Sequence, residues 1–464
     1  MDDLFLRRTQ MEKIKKNEEY IVDIIDYGMN GEGIAKINDF TIFIPYAMKG
    51  EKVKIIIVKV LSSYGYGKVV EILEKSLFRV EEDCSTYKRC GGCDLRHIDY
   101  EETLNIKQKN VQNLVSKTFN GANIKVEKTI GMGNPYNYRN KAQFPVGLNK
   151  QGEIQVGVFA QRTHEIIGIK ECFIQNIEAQ KIAFSIQKFI IEKNIPVYNE
   201  ETLEGLIRHI VIKVGIRTHE IMCILVVNGK KIPYETELVE MLVRQYNVKT
   251  IVKNINMKNT NVILGYENIV LHGDGYIYDI LGDCTFKISP MSFYQVNPVQ
   301  AEVLYNTAIE MANLSKDDIL FDLYCGIGTI GIFASRYVKK VYGIEIVEQA
   351  IEDAKENAKI NNIENIEFFA GDAPKIFSNL MEKKQVYPDV IIVDPPRKGL
   401  DNNTINNILA VKPKKVVYIS CNPATMVRDM KLLNENYETG NIQPVDMFPF
   451  TSHVECCSVL SLKN

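Results

Sequence analysis

Two residues late in the chain have the chemistry to modify a pyrimidine. Cys421 lies in Ser420-Cys421-Asn422-Pro423-Ala424-Thr425, after the apolar run Lys415-Val416-Val417-Tyr418-Ile419. Glu455 closes Phe448-Pro449-Phe450-Thr451-Ser452-His453-Val454-Glu455. Carbon methylation of uracil requires one thiol nucleophile and one carboxylate base. C5 is too poor a nucleophile to attack a methyl donor unaided. Thiolate addition at C6 makes it enolate-like, and a base must later remove the C5 proton. Each residue alone has a blander reading, a small buried thiol or a solvated acid, so the weight falls on their surroundings.

Those surroundings look like a donor site. Ile319-Leu320-Phe321-Asp322-Leu323-Tyr324-Cys325-Gly326-Ile327-Gly328-Thr329 reads as a strand entering a Gly-rich turn and then a helix. Gly326 and Gly328 let the backbone approach a ligand closely. A second strand ends in Glu345, where a carboxylate can bind the ribose hydroxyls of a nucleoside cofactor. A third, Ile366-Glu367-Phe368-Phe369-Ala370, delivers Gly371-Asp372 to touch an adenine. The pyrophosphate signature of dinucleotide folds is incomplete, which favours S-adenosyl-L-methionine over NAD. A fourth strand ends in Asp394-Pro395-Pro396-Arg397. Methylases of exocyclic amines place an aromatic residue after Asp-Pro-Pro, and Arg397 stands there instead. Cytosine-5 DNA methylases carry their nucleophile after the fourth strand; here it follows the fifth. Both departures point to uracil in RNA.

Four of the ten cysteines need a separate explanation. Cys84, Cys90 and Cys93, with Gly91-Gly92 between the last two, and Cys172 downstream offer four thiolates. These suit a tetrahedral zinc or an iron–sulfur cluster. The spacing differs from that of radical S-adenosylmethionine enzymes, and unligated cysteines are the bland alternative.

The chain has 464 residues, 45% hydrophobic and 25% charged, with a net charge of −2. Its length allows about three domains at ~150 residues each. No apolar run approaches the ~18 residues of a membrane span. Met1-Asp2-Asp3-Leu4-Phe5-Leu6-Arg7-Arg8 is unlike a secretory signal, so a cytoplasmic location is expected. An RNA surface must be local. Lys49, Lys52, Lys54, Lys59 and Lys68 interleave with Tyr64 and Tyr66, as suits RNA backbone and bases; a solvated hairpin is the plain alternative. Residues 1–75 read as a small OB-like β-barrel resembling a TRAM domain. A helix is expected from Tyr100 to about Lys117. Residues 76–288 read as an α+β domain carrying the cysteine segment, and 289–464 as a doubly wound, Rossmann-like α/β domain. Tyr138-Arg139-Asn140-Lys141 and Leu206-Ile207-Arg208-His209 bring basic residues that could hold phosphates, although each alone is more simply a surface charge.

Taken together, Cys84, Cys90, Cys93, Cys172, Phe293-Tyr294-Gln295-Val296-Asn297, Tyr324-Cys325-Gly326, Glu345, Asp394-Pro395-Pro396-Arg397, Ser420-Cys421-Asn422-Pro423 and His453-Val454-Glu455 resemble an RNA (uracil-5-)-methyltransferase of the bacterial ribosomal RNA branch. The resemblance implies a 4Fe-4S cluster at the four cysteines and S-adenosylmethionine contacts from Gln295, Tyr324, Glu345 and Asp394. It also implies Cys421 as nucleophile, Glu455 as proton acceptor and Phe293 stacked on a flipped-out base. Large-subunit ribosomal RNA is the expected partner, with no membrane and a monomeric enzyme, because transfer-RNA members generally lack the barrel and the cluster. Thr329 departs from the Asn of many relatives, and one hydrogen bond there is in doubt. The barrel and cluster segment are expected to touch RNA away from the target base. Two alternatives stand: 5-methyluridine formation in transfer RNA, and a non-catalytic metal-cluster RNA-binding protein.

Overall fold

The computed structural model describes residues 14–120, 124–161 and 163–463; the Met1–Arg8 stretch lies outside them. Short apolar runs between turns build the first sheet. β1 (Glu19–Asp23), β2 (Asp26–Tyr27), β3 (Gly33–Ile37), β4 (Phe40–Ile44), β5 (Lys52–Val60) and β6 (Tyr64–Glu74) pair in the order β1-β5-β6-β4-β3-β2. Alternate residues point inward, so Ile42, Ile44, Val53, Ile55 and Ile57 fill the centre. The Ile25 N–H, just past β1, donates to the Ile34 carbonyl on β3 (2.8 Å). The sheet thereby curls into a small barrel.

α1 (Tyr100–Phe119) begins at Asp99, whose carboxylate accepts the Glu101 N–H (3.1 Å). Its i, i+4 stripe of Val111, Val115 and Phe119 does not serve the central sheet. It packs on the C-terminal unit, in one core with Met430 and Leu433. Val126 and Ile130 continue along that unit as bridges to Ile442 and Val445.

The central sheet holds β7 (Lys141–Leu148), β8 (Ile154–Phe159), β9 (Ile166–Gly168), β10 (Ile207–Val214), β11 (Ile221–Val227), β12 (Thr250–Ile255) and β13 (Glu267–His272), in the order β13-β12-β11-β10-β7-β8-β9. α2 (Ile177–Glu192) and α3 (Glu235–Tyr246) cover one face. β10 and β11 are buried at every position, as continuous apolar strands are when both faces are covered. Ile210, Ile212, Cys223 and Leu225 pack with the helices. The alternate residues Val211, Met222, Ile224 and Val226 share a core with Tyr294 and Leu304 of the C-terminal unit.

The hairpin β14 (Ile277–Leu281) and β15 (Cys284–Ile288) leads into that unit, which comprises α4 (Pro298–Ala312), β16 (Ile319–Leu323), α5 (Thr329–Ser335), β17 (Lys340–Glu345), α6 (Glu348–Ile360), β18 (Ile366–Ala370), α7 (Ala373–Lys384), β19 (Val390–Val393), α8 (Asn402–Val411), β20 (Lys415–Ser420), α9 (Pro423–Leu433), β21 (Tyr437–Val445) and β22 (Glu455–Leu462). The order is β18-β17-β16-β19-β20-β22-β21, parallel except for β22, which is antiparallel to both neighbours. The chain reverses direction of winding between β16 and β19, which opens a ligand crevice at their carboxyl ends.

Candidate active site

At that crevice β16 runs into Tyr324-Cys325-Gly326. Tyr324 (φ 70°), Gly326 (φ 56°) and Gly328 (φ 83°) are all left-handed. A Cβ on Gly326 would meet no atom within 4 Å, so this turn borders open space; on Gly328 it would come 2.8 Å from Phe368. Glu345 is pinned beside the turn. Its Oε2 accepts the Gly326 N–H (3.2 Å) and its Oε1 the Val347 N–H (3.0 Å). The Tyr324 hydroxyl lies 3.2 Å from Thr404 Oγ1. Asp372 precedes α7 without capping it, which leaves an exposed carboxylate near Tyr324. Inside the crevice the buried Tyr305 hydroxyl is within hydrogen-bonding reach of Gln295 and Thr329 and feels the charges of Asp394 and Glu455. Sequence reasoning passed over Tyr305, because a tyrosine within a helix carries no local signal of this convergence. Gln295 is held from the central sheet, its carbonyl accepting from Asn140 Nδ2 (3.0 Å).

β20 and β22 set the second half of the site. Ser420 faces Cys456 at the end of their antiparallel register; Cys421 follows Ser420, Glu455 precedes Cys456, and Glu455 lies near enough to act on the Cys421 thiol. Asp394 and Arg397 leave β19 beside them. Burial, Glu455 and Asp394 push the Cys421 thiol up to about 11, against the pull of the Arg397 guanidinium. Glu455 is buried, and burial, then Asp394, raise its carboxyl well above the usual range. Burial raises Asp394 too. Two such carboxyls do not both ionise readily, so the pair favours holding a proton until a cation arrives.

A cleft of about 220 Å³ opens beside Cys421, lined among others by Met29, Asn30, Asn110, Leu114, Arg397 and His453. The β2–β3 turn of the barrel therefore borders the same cleft as Cys421, in addition to any barrel surface further away. Phe293 stands 64% exposed, with no aromatic partner among the described residues. Its loop is anchored by Lys213, whose Nζ donates to the carbonyls of Ser289 (2.8 Å) and Ser292 (3.0 Å). Burial, with Lys141 nearby, lowers Lys213 to about 7.

Cys84, Cys90, Cys93 and Cys172 line one cavity of about 430 Å³. Cys90 Sγ accepts the Gly92 N–H (3.2 Å). Arg96, Arg139 and His209 border the same cavity, and Arg96 Nη1, Arg139 Nε and both His209 ring nitrogens are buried without a partner. Among the described residues no three His, Cys, Asp or Glu side chains converge to hold one metal ion; the thiols surround a space instead of a point. The phosphate-binding expectation for Arg139 and Arg208 is corrected here. Arg139 faces this cavity, while Arg208 is buried, donates to the carbonyls of Asn256 (2.7 Å) and Lys258 (2.8 Å), and lies 4.3 Å from the Tyr198 ring centre.

Residues 99–463 match the family model described as tRNA (Uracil-5-)-methyltransferase, and residues 13–70 match the TRAM domain. An uncharacterized RNA methyltransferase of Clostridium tetani is 46% identical over 444 residues, covering 95% of this chain and 96% of its own. Another, from Halalkalibacterium halodurans, is 45% identical over 457 residues, covering 98% and 99%. The crystal structure of Pyrococcus abyssi tRNA (uracil-54, C5)-methyltransferase in complex with S-adenosyl-L-homocysteine matches with a TM-score of 0.76 at 27% identity, over 95% of this chain and 100% of that one. The chain belongs to the tRNA (uracil-5-)-methyltransferase family and is an RNA methyltransferase dependent on S-adenosylmethionine. No helix among the described residues is long and apolar enough to cross a membrane.

Proposed function

We propose that this enzyme, in the cytoplasm, methylates C5 of a uridine in 23S ribosomal RNA, with Cys421 as nucleophile and Glu455 as base. The nearness of Cys421 to Glu455, at the adjoining ends of β20 and β22, supports the reading. Bound in that crevice, S-adenosylmethionine supplies a methyl group on a cationic sulfonium. Gln295, Tyr324, Gly326, Gly328, Glu345, Asp372 and Asp394 hold the donor, and Phe293 stacks on the flipped uracil. Cys421 loses its proton to solvent and its thiolate adds to C6, so that C5 takes the methyl group as its bond to the sulfonium sulfur breaks and a neutral thioether is left. Glu455 then removes the C5 proton, the C5–C6 double bond re-forms, and the Cys421 thiolate leaves.

Residues 1–75 recruit RNA in this scheme, 76–288 carry a 4Fe-4S cluster, and 289–464 perform the chemistry. Cys84, Cys90, Cys93 and Cys172 would hold the cluster, which supplies structural anchoring. A space larger than one ion needs, bordered by orphaned N–H donors, suits the sulfides of an anionic cluster.

The preference for ribosomal RNA rests on the resemblance described above. A second reading, 5-methyluridine in transfer RNA, draws on the Pyrococcus abyssi neighbour. The non-catalytic alternative has no observation in its favour. Mapping 5-methyluridine in rRNA and tRNA from cells with and without the enzyme separates the readings: loss from 23S rRNA supports the first, loss confined to tRNA the second. With 5-fluorouridine RNA, Cys421→Ala should form no covalent complex. Glu455→Gln should stall after methyl transfer with enzyme and RNA still linked, and normal turnover by either variant removes the assignment.

A further inference from the structure

We propose that Asp94 is a positioning residue for the proton-removal step, an inference that rests on Cys421 and Glu455 acting as above. Asp94 follows Cys93 in the cysteine segment, yet its contacts run into the loop that leads to Glu455. One carboxylate oxygen, Oδ2, accepts both the backbone N–H and the hydroxyl of Ser452, at 3.0 Å each. The N–H groups of Asp94 and Leu95 both donate to the Phe450 carbonyl (3.0 and 2.9 Å). Phe450 itself is left-handed (φ 65°). Its ring is packed with Tyr138 and Ile174 against Cys93 and Cys172, and the Arg96 guanidinium lies 4.8 Å from its centre.

The other side-chain bonds that reach this loop from outside act earlier along it, while Thr451 Oγ1 accepts the His453 N–H (3.2 Å) and Glu455 pairs with Val445 of β21. Asn297 Nδ2 donates to the Met447 carbonyl (3.0 Å), Lys107 Nζ to Phe448 (3.1 Å) and the Tyr138 hydroxyl to Pro449 (3.2 Å). Those bonds fix how the chain enters the turn. Asp94 fixes how it leaves, at Ser452, immediately before His453-Val454-Glu455. That exit aims the Glu455 carboxylate. General-base transfer needs the base within ~2.6–3.2 Å of the proton it takes, here on C5 of a ring already bonded to Cys421. In this step the C5–H bond breaks and its proton passes to Glu455. The released pair re-forms the C5–C6 double bond, and the C6–S bond breaks with the thiolate leaving. Cutting the Asp94 tether slows this step and leaves donor binding alone.

The test uses full-length, cluster-loaded enzyme with RNA containing [5-³H]uridine. Asp94→Ala, Asp94→Asn and Ser452→Ala are compared for methyl transferred, tritium released and protein–RNA complex on a denaturing gel. Asp94→Ala should slow tritium release roughly 10- to 100-fold and accumulate methylated, linked complex at unchanged donor affinity. Asp94→Asn keeps an oxygen able to accept both hydrogens and should restore release. Equal slowing of methyl transfer and tritium release without linked complex overturns the proposal, as does an Asp94→Asn variant no better than Asp94→Ala. If Asp94→Ala misfolds or loses iron, Ser452→Ala decides, because it removes one of the two bonds and leaves the cysteine segment intact: linked complex accumulating there supports the role, and wild-type partitioning refutes it. A wild-type enzyme that neither links to nor methylates RNA is a different failure, that of the function proposed above.

Discussion

Ser420 on β20 faces Cys456 on β22, where the register ends beside Cys421 and Glu455. Residues facing across antiparallel strands point to the same side, with Cβ atoms ~4.5–5.5 Å apart. The last backbone pair therefore brings the two flanking residues, proposed nucleophile and base, to one end of the ladder. The inserted antiparallel strand β22 is what brings the base there.

Cys421 should be a poor nucleophile until the donor binds. Burial and two neighbouring carboxyls push its thiol up to about 11, so it is protonated near pH 7. Iodoacetamide reacts with the thiolate, and labelling of Cys421 should rise about tenfold per pH unit from 7 towards 10. A positive charge favours the thiolate and lowers this pKa. At pH 8, labelling should be faster with sinefungin, whose amine replaces the sulfonium, than with uncharged S-adenosylhomocysteine. Mass spectrometry of the Cys421 peptide reads both effects; equal rates with the two ligands contradict the electrostatic account.

Lys107 on α1 and Asp446 after β21 form an ion pair with neither side chain exposed. Tyr100 adds a hydrogen bond to Asp446 (2.9 Å). Lys107→Met leaves a buried carboxylate without its cation, and stability should fall by about 3–5 kcal/mol. Adding Asp446→Asn removes the stranded charge and should recover part of the loss. Urea unfolding of the single and double variants measures both.

These cases show how much could be read in advance. The strand-to-turn run Ile319–Gly331 and the alternating strands of the barrel are local patterns, and the structure places them as the periodicity of the side chains requires. Cys421 and Glu455 stood out by type, but their nearness depends on β22 inserting between β20 and β21, which no local pattern encodes. The contact of Asp94 with Ser452 spans most of the chain and joins two polar residues ordinary in any loop. Arg208 misled for the converse reason: a guanidinium looks solvated in a sequence, while its partners are carbonyls of Asn256 and Lys258 that only the folded sheet presents.

Iron should accompany the protein when oxygen is excluded. The four cysteines around one cavity lead us to expect brown protein with about four irons per chain. Cys93→Ser should lose most of that iron. Stoichiometric zinc without iron would falsify the cluster assignment.

The barrel should contribute to RNA binding in two separable ways. Met29 and Asn30 line the cleft beside Cys421, so Met29→Ala with Asn30→Ala should raise the KM for RNA without changing its salt dependence, because no charge is removed. Replacing Lys49, Lys59 and Lys68 with Gln should flatten the salt dependence by up to about 0.7 in log–log slope per lysine that meets a phosphate. Donor affinity should stay constant in both sets. Filter binding across a salt series, with calorimetry for the donor, checks them.

α1 is made early and covered late. Its stripe of Val111, Val115 and Phe119 closes against Met430 and Leu433 of α9, which leave the ribosome about 300 residues afterwards, on the order of 15–60 s at ordinary translation speed. The barrel is complete before that interval begins, and the central strands are made within it, before the α9 side of the helix's packing exists. The cover of that stripe is therefore left to the far end of the chain.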